Sequence, residues 1–206
     1  MAFIKLLICL FITNIILHSS TLVFFGDSLT AGYNIAKKDA FPALINEKLA
    51  TDHITVINAG ISGDTTFTML NRLDWTINQT QPSVAFVSIG ANDGLRGYDI
   101  NIIKSNIQLI IDKLNTANIN IILGGMSLPE NYSEAYISSF ESIYSELASE
   151  NSILLMPFLL ANVAGIDNYN LTDRIHPNEL GHQVIADNVL NFLVTNNVII
   201  REKALK

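Results

Sequence analysis

Cysteine is nearly absent: the 206-residue sequence has one, Cys9. A single thiol closes no intramolecular disulfide, and because Cys9 sits in an apolar leader, a chain cut after it would have no thiol nucleophile either. The preceding Leu6-Leu7-Ile8 lacks the small residue expected ahead of a lipid-modified cysteine. Basic clusters are missing too. Twelve Lys and Arg stand against 19 Asp and Glu, a formal charge of −7, and nothing gathers the cations, which argues against nucleic acid as a partner. There is no internal repeat, low-complexity stretch or interdomain linker, and this length accommodates one well-buried domain.

The one long apolar run is at the start. Residues 1–20 carry a single cation, Lys5, then Leu6 to Leu17 and the polar His18-Ser19-Ser20, the outline of a secretory signal peptide. The run is shorter than the ~20 residues a membrane span requires, so no stable span is expected. An uncleaved amino-terminal anchor is the alternative. We therefore expect a periplasmic or secreted protein whose domain covers residues 21–206. Losing Lys5 would leave 19 acidic against 11 basic residues, a charge of −8.

Short β-branched and aromatic runs alternate with longer helical stretches, the pattern of a parallel sheet covered on both faces. Strands are expected at Thr21 to Phe25, Ile54 to Asn58, Val84 to Ile89, Asn120 to Leu123 and Ser152 to Leu155. Helices are expected at Phe41 to Ala50, Thr66 to Asn78, Asn101 to Ala117, Ser133 to Ser149 and Asn178 to Asn196. Ile103, Ile107, Ile110, Ile111 and Leu114 recur at three and four and mark one buried face; Leu180, Val184, Ile185, Val189 and Phe192 suggest another. Trp75 reads as core or helix packing. The glutamates Glu130, Glu134, Glu141, Glu146 and Glu150 read as a solvated face.

The first expected strand runs into Gly26-Asp-Ser-Leu-Thr-Ala-Gly32, which presents Ser28 at its carboxyl end. A hydroxyl is a poor nucleophile until a base takes its proton, and the base needs a third group to fix its tautomer. Asp173-Arg-Ile-His176 supplies a carboxylate and an imidazole at a spacing that lets Asp173 accept from Nδ1 and leaves Nε2 facing Ser28. Pro177 then restricts the backbone of His176. The Gly-x-Ser-x-Gly elbow of α/β-hydrolases is absent. Acyl transfer also needs oxyanion donors, and two further post-strand loops offer them: Gly63, whose N–H is unshielded by a side chain, and the Asn92 amide; the N–H of Ser28 is a third. In open α/β sheets such loops converge at the carboxyl ends of the strands.

Four blocks in order, Gly26-Asp27-Ser28-Leu29, Gly63, Gly90-x-Asn92-Asp93 and Asp173-x-x-His176, resemble those of the SGNH (GDSL-type) hydrolases. Ser62-Gly-Asp-Thr65, Asn92-Asp-Gly-Leu-Arg-Gly97 and Leu128-Pro-Glu-Asn-Tyr132 are similar to the bacterial multifunctional thioesterase, lysophospholipase and arylesterase branch; Ala91 departs from it where a second glycine is common. The resemblance implies a three-layer α/β/α sandwich, flavodoxin-like, with a five-stranded parallel sheet of order 2-1-3-4-5. It implies hydrolysis of esters and thioesters with Ser28 as nucleophile, His176 as base, Asp173 as its orienter, and Gly63 and Asn92 as oxyanion donors. No cofactor and no metal are implied. The expected partner is a small ester, thioester or lysophospholipid, and the expected state a monomer.

Other readings of the same residues stand beside this. Asp27, Asp64, Asp93, Asp173 and His176 could gather a divalent metal as a phosphoesterase, and Gly26 to Gly32 could cradle an anion, although it contains no lysine. In the first reading Asp27, Asp64 and Asp93 only brace loops, and His53 and His182 are surface or packing residues. The glycines flanking Leu95-Arg96 suggest that residues 94–98 move when an acyl chain binds.

Overall fold

The computed structural model describes residues 20–50 and 53–199. Five strands and seven α-helices follow: β1 (Ser20–Gly26), α1 (Ser28–Ala31), α2 (Phe41–Lys48), β2 (Ile54–Gly60), α3 (Thr66–Thr80), β3 (Val84–Ser88), α4 (Ala91–Leu95), α5 (Ile100–Thr116), β4 (Asn120–Gly124), α6 (Glu134–Asn151), β5 (Leu154–Met156) and α7 (Glu179–Thr195). The short α1 and α4 are two helices more than the apolar runs imply. All strands pair in parallel in the order β2-β1-β3-β4-β5.

Handedness then assigns the helices. The step from β1 to β2 goes one way along the sheet and every later step goes the other, so right-handed crossovers place α2 on one face and α3, α5 and α6 on the opposite face. The packing agrees: α2 lies against α7, while α3 packs on α5 and α5 on α6. The sheet is covered on both sides, and Val23, Phe24, Phe25, Ala85, Phe86 and Val87 are fully buried. Register sets Gly26 beside both Gly60 and Ser88, so β1, β2 and β3 end level at one pole. The strand order reverses between β1 and β3, and that is where a ligand crevice forms.

The buried stripe of α5 is the predicted one. That of α7 is displaced by one position: Gly181, His182, Ile185, Ala186, Val189, Leu190 and Leu193 face inward, and Leu180 is 52% exposed. His182, read from sequence as a surface or packing residue, is part of that inward face. The last strand begins later than Ser152, because Ser152 takes a left-handed φ of 54° and caps α6. Trp75 is not core; it is 67% exposed on α3. β1 opens at Ser20, and the rest of the leader segment lies outside the described residues. No helix among the described residues is long and apolar enough to cross a membrane.

Candidate active site

Ser28 is the first residue of α1, a single helical turn. Asp27 caps it, its carboxylate accepting from the Leu29 N–H at 3.0 Å, and Gly32 closes it in the left-handed conformation, its N–H donating to the Ser28 carbonyl at 3.1 Å. So short a helix needs glycines around it. A Cβ at Gly26 would lie 2.0 Å from Thr30 Oγ1, and one at Gly60 would lie 2.5 Å from the Ala31 nitrogen. The two strand ends thereby let α1 settle between them and hold Ser28 at the reversal of the sheet.

From the far end of the chain, residues 171–176 form a tight turn. The Leu171 N–H donates to the His176 carbonyl at 2.7 Å, and Arg174 adopts a φ of 60°. Asp173 Oδ1 accepts from the Ile175 and His176 N–H groups at 2.9 and 3.0 Å, and Oδ2 lies 2.7 Å from His176 Nδ1. Nε2 of the same ring lies 2.9 Å from Ser28 Oγ. Burial alone would raise the Asp173 carboxyl, but the two N–H donors and the imidazole outweigh it and hold it below its usual range. The acid therefore stays ionised and keeps the Nδ1 proton, which leaves the Nε2 lone pair toward the serine. Tyr33, just beyond α1, lies against His176 with ring centroids 4.4 Å apart. It fixes the second side of the ring and was not singled out in the sequence.

Asn92 sits on α4, which follows β3, and its amide donates to the Asp64 carbonyl at 2.9 Å and toward Asp27 Oδ2 at 3.4 Å. Gly63, on the β2 loop, has a φ of +85° and open space where a side chain would be. The three carboxylates beneath are each taken by the protein. Asp64 pairs with Arg72 at 2.7 Å, Asp93 accepts from the Thr66 N–H and hydroxyl at 2.9 and 2.7 Å, and Asp27 is bound as above. The loop-bracing reading holds, and among the described residues no group of three or more His, Cys, Asp or Glu is gathered as a metal would need. Burial, followed by the charges of Asp64 and Asp93, pushes the Asp27 carboxyl up to about 7 against the Leu29 N–H.

Arg72 is the larger omission of sequence reasoning. From α3 it also donates to the carbonyls of Ala59 and Gly26 at 2.9 and 3.3 Å, tying together the ends of β2 and β1. The signal was available: a cation beside Met69, Leu73 and Thr76, on the helix's inner face. His182 is a packing residue. It is buried, accepts from the Phe41 N–H at 3.1 Å and is held neutral, its pKa lowered to about 4 by burial and then by His176.

Segment 94–98 differs from expectation. Gly94 lies inside α4, where a Cβ would meet Leu128 and Phe140 at 2.7 and 2.8 Å. Tyr132 donates to the Leu95 carbonyl and Tyr136 to that of Tyr98, each at 2.7 Å. Only Gly97, with a φ of +68° and open surroundings, has the freedom of a hinge. A cleft of about 530 Å³ opens at the amino ends of β3 and β4, the opposite pole, and is lined by none of these groups.

A sequence model of the GDSL-like lipase/acylhydrolase family matches residues 24–184. An arylesterase of Vibrio mimicus is 35% identical over 178 residues, 85% of this chain and 89% of that protein. A thioesterase 1/protease 1/lysophospholipase L1 of Escherichia coli K12 is 38% identical over 169 residues, 82% of this chain and 81% of that one. Among solved structures, a psychrotrophic esterase EstA from a Pseudoalteromonas species, inhibited by monoethylphosphonate, superposes with a TM-score of 0.83 at 29% identity, over 87% of this chain and 99% of that chain.

Proposed function

Because the chain belongs to the GDSL-like lipase/acylhydrolase family, we propose that it hydrolyses carboxylic esters and thioesters through an acyl intermediate on Ser28. The observation that carries this is the unbroken chain from Asp173 through His176 to Ser28, at 2.7 and 2.9 Å. Nε2 takes the Oγ proton as Oγ attacks the acyl carbon, and the carbonyl electron pair moves onto oxygen. The Asn92 amide and the N–H groups of Gly63 and Ser28 receive that oxyanion. Collapse breaks the bond to the alcohol or thiol, which leaves with the proton from Nε2. Water then repeats the sequence on the acyl-serine and frees the acid.

The substrates are aryl esters, acyl thioesters and lysophospholipids, the activities named for relatives from Vibrio mimicus and Escherichia coli. Every proposed catalytic group comes from one chain, so a monomer suffices for turnover. It is exported, and acyl-CoA, a cytosolic thioester, is cleaved only in vitro.

Turnover of an aryl ester, an acyl thioester and a lysophospholipid by purified protein and its Ser28→Ala variant tests the chemistry. Activity surviving in the variant, or lost only to a chelator, would point to the metal phosphoesterase instead. Amino-terminal sequencing of the native protein tests export: an intact Met1 in the cytosol would refute it.

A further inference from the structure

Most cations of the described chain are already spent on carboxylates: Lys48 on Asp187, Arg72 on Asp64, Lys104 on Glu146 and Glu150, Lys113 on Asp74, Arg174 on Asp167. Among the described residues Lys37, Lys38 and Arg96 have no such partner. The two lysines lie in the turn that leads into α2, and that turn packs on α2 and α7, whereas the α4 that carries Asn92 packs on α5. Arg96 alone adjoins the oxyanion donors. It caps the carboxyl end of α4, its backbone N–H bonded to the carbonyls of Asn92 and Asp93 at 3.2 Å each.

Its foundation is rigid and its head is not. The tyrosine bonds to Leu95 and Tyr98 fix the backbone on either side, yet the side chain is exposed and makes one long contact, 3.5 Å from its guanidinium to the Gly63 carbonyl. A guanidinium has five N–H donors in a planar fork suited to phosphate, and here nearly all of them face solvent between the loops of Gly63 and Asn92. We propose that Arg96 is a specificity-determining residue that takes the headgroup phosphate of a lysophospholipid whose acyl carbonyl lies at Ser28. The inference rests on the ester-hydrolase reading above. The placement decides between phosphate sources. Arg96 caps the five-residue helix that carries Asn92, so the phosphate must be joined to the ester by a short bridge. Glycerol is such a bridge, whereas the pantetheine arm of an acyl-CoA carries its phosphates well beyond.

The test compares wild type with Arg96→Gln on three substrates of one short acyl chain, kept below micelle formation: lysophosphatidylcholine, monoacylglycerol and acyl-CoA. In the variant the KM for lysophosphatidylcholine relative to monoacylglycerol should rise about tenfold, as for one charge-assisted hydrogen bond lost at an exposed site, with kcat little changed. The acyl-CoA KM should follow that of monoacylglycerol. Equal loss on both glycerol esters, or an unmoved ratio, overturns the proposal, and a loss confined to acyl-CoA overturns the glycerol-length placement. Equilibrium binding of lysophosphatidylcholine to Ser28→Ala protein, with and without Arg96→Gln, reads the same contact without turnover. A wild type that binds but hydrolyses nothing would sink the ester-hydrolase reading and leave Arg96 to be judged on that binding ratio.

Discussion

Replacing Asp27 by asparagine should stabilise the protein, and by an amount that grows with pH. Asp27 is 2% exposed, and burial with the nearby charges of Asp64 and Asp93 lifts its carboxyl from 3.8 to about 7. Between those values the folded state holds a proton that the unfolded state has released. Stability therefore falls as pH rises through this window, by about 1.4 kcal/mol per unit, and levels off above it. Asparagine does not titrate, and its oxygen can still accept from the Leu29 N–H that Asp27 meets at 3.0 Å. Its amide, however, would face the Asn92 amide where the carboxylate now lies 3.4 Å away, a mismatch of about 1 kcal/mol that does not change with pH. From pH 5 to pH 7 the window spans two units, so the variant should gain about 2 to 3 kcal/mol on wild type between pH 5 and pH 8. Urea unfolding of both proteins at four pH values measures this, because other titrating groups cancel in the difference. Stability curves that run parallel across that range would refute the reasoning.

Asn92→Ala should lower kcat by roughly 10²- to 10³-fold with little change in KM, since the amide acts on the developing oxyanion; an effect confined to KM in steady-state assays would make Asn92 a binding residue only. Arg72→Met should cost about 3 to 5 kcal/mol in urea unfolding, because it strands Asp64 among buried groups, and a loss under 1 kcal/mol would count against that tie. Gly94→Ala should cost more stability than Gly97→Ala, about 2 to 3 against about 1 kcal/mol, because the first meets Leu128 and Phe140 while the second meets only backbone strain. Equal thermal shifts for the two would contradict the packing described around α4.

The site was legible in the sequence because its parts are local. A strand ending in glycine, a serine two residues beyond it and a carboxylate three residues before an imidazole each declare their geometry within a few positions. Alternating period then placed the loops of Ser28, Gly63 and Asn92 at one pole. Less was legible where contacts cross the chain. α1 and α4 are 4 and 5 residues long, too short to show a helical period, so both read as loops. The tyrosines that pin segment 94–98 come from the β4–α6 connection and from α6, which is why paired glycines looked like hinges. Tyr33 lies on His176 only because α1 turns the chain back at Gly32. Burial of His182 and exposure of Trp75 depend on which face each helix turns to the sheet, a choice that one polar residue in an apolar stripe obscures.

The central claim is that one serine, activated by His176, becomes acylated. Intact-mass measurement after treatment with an alkyl fluorophosphonate tests it directly, followed by peptide mapping. The account requires one adduct per chain, on the peptide containing Ser28, with activity lost in proportion to labelling and no adduct on Ser28→Ala. An adduct on another residue, or an unlabelled Ser28 in protein that has lost its activity, would contradict it.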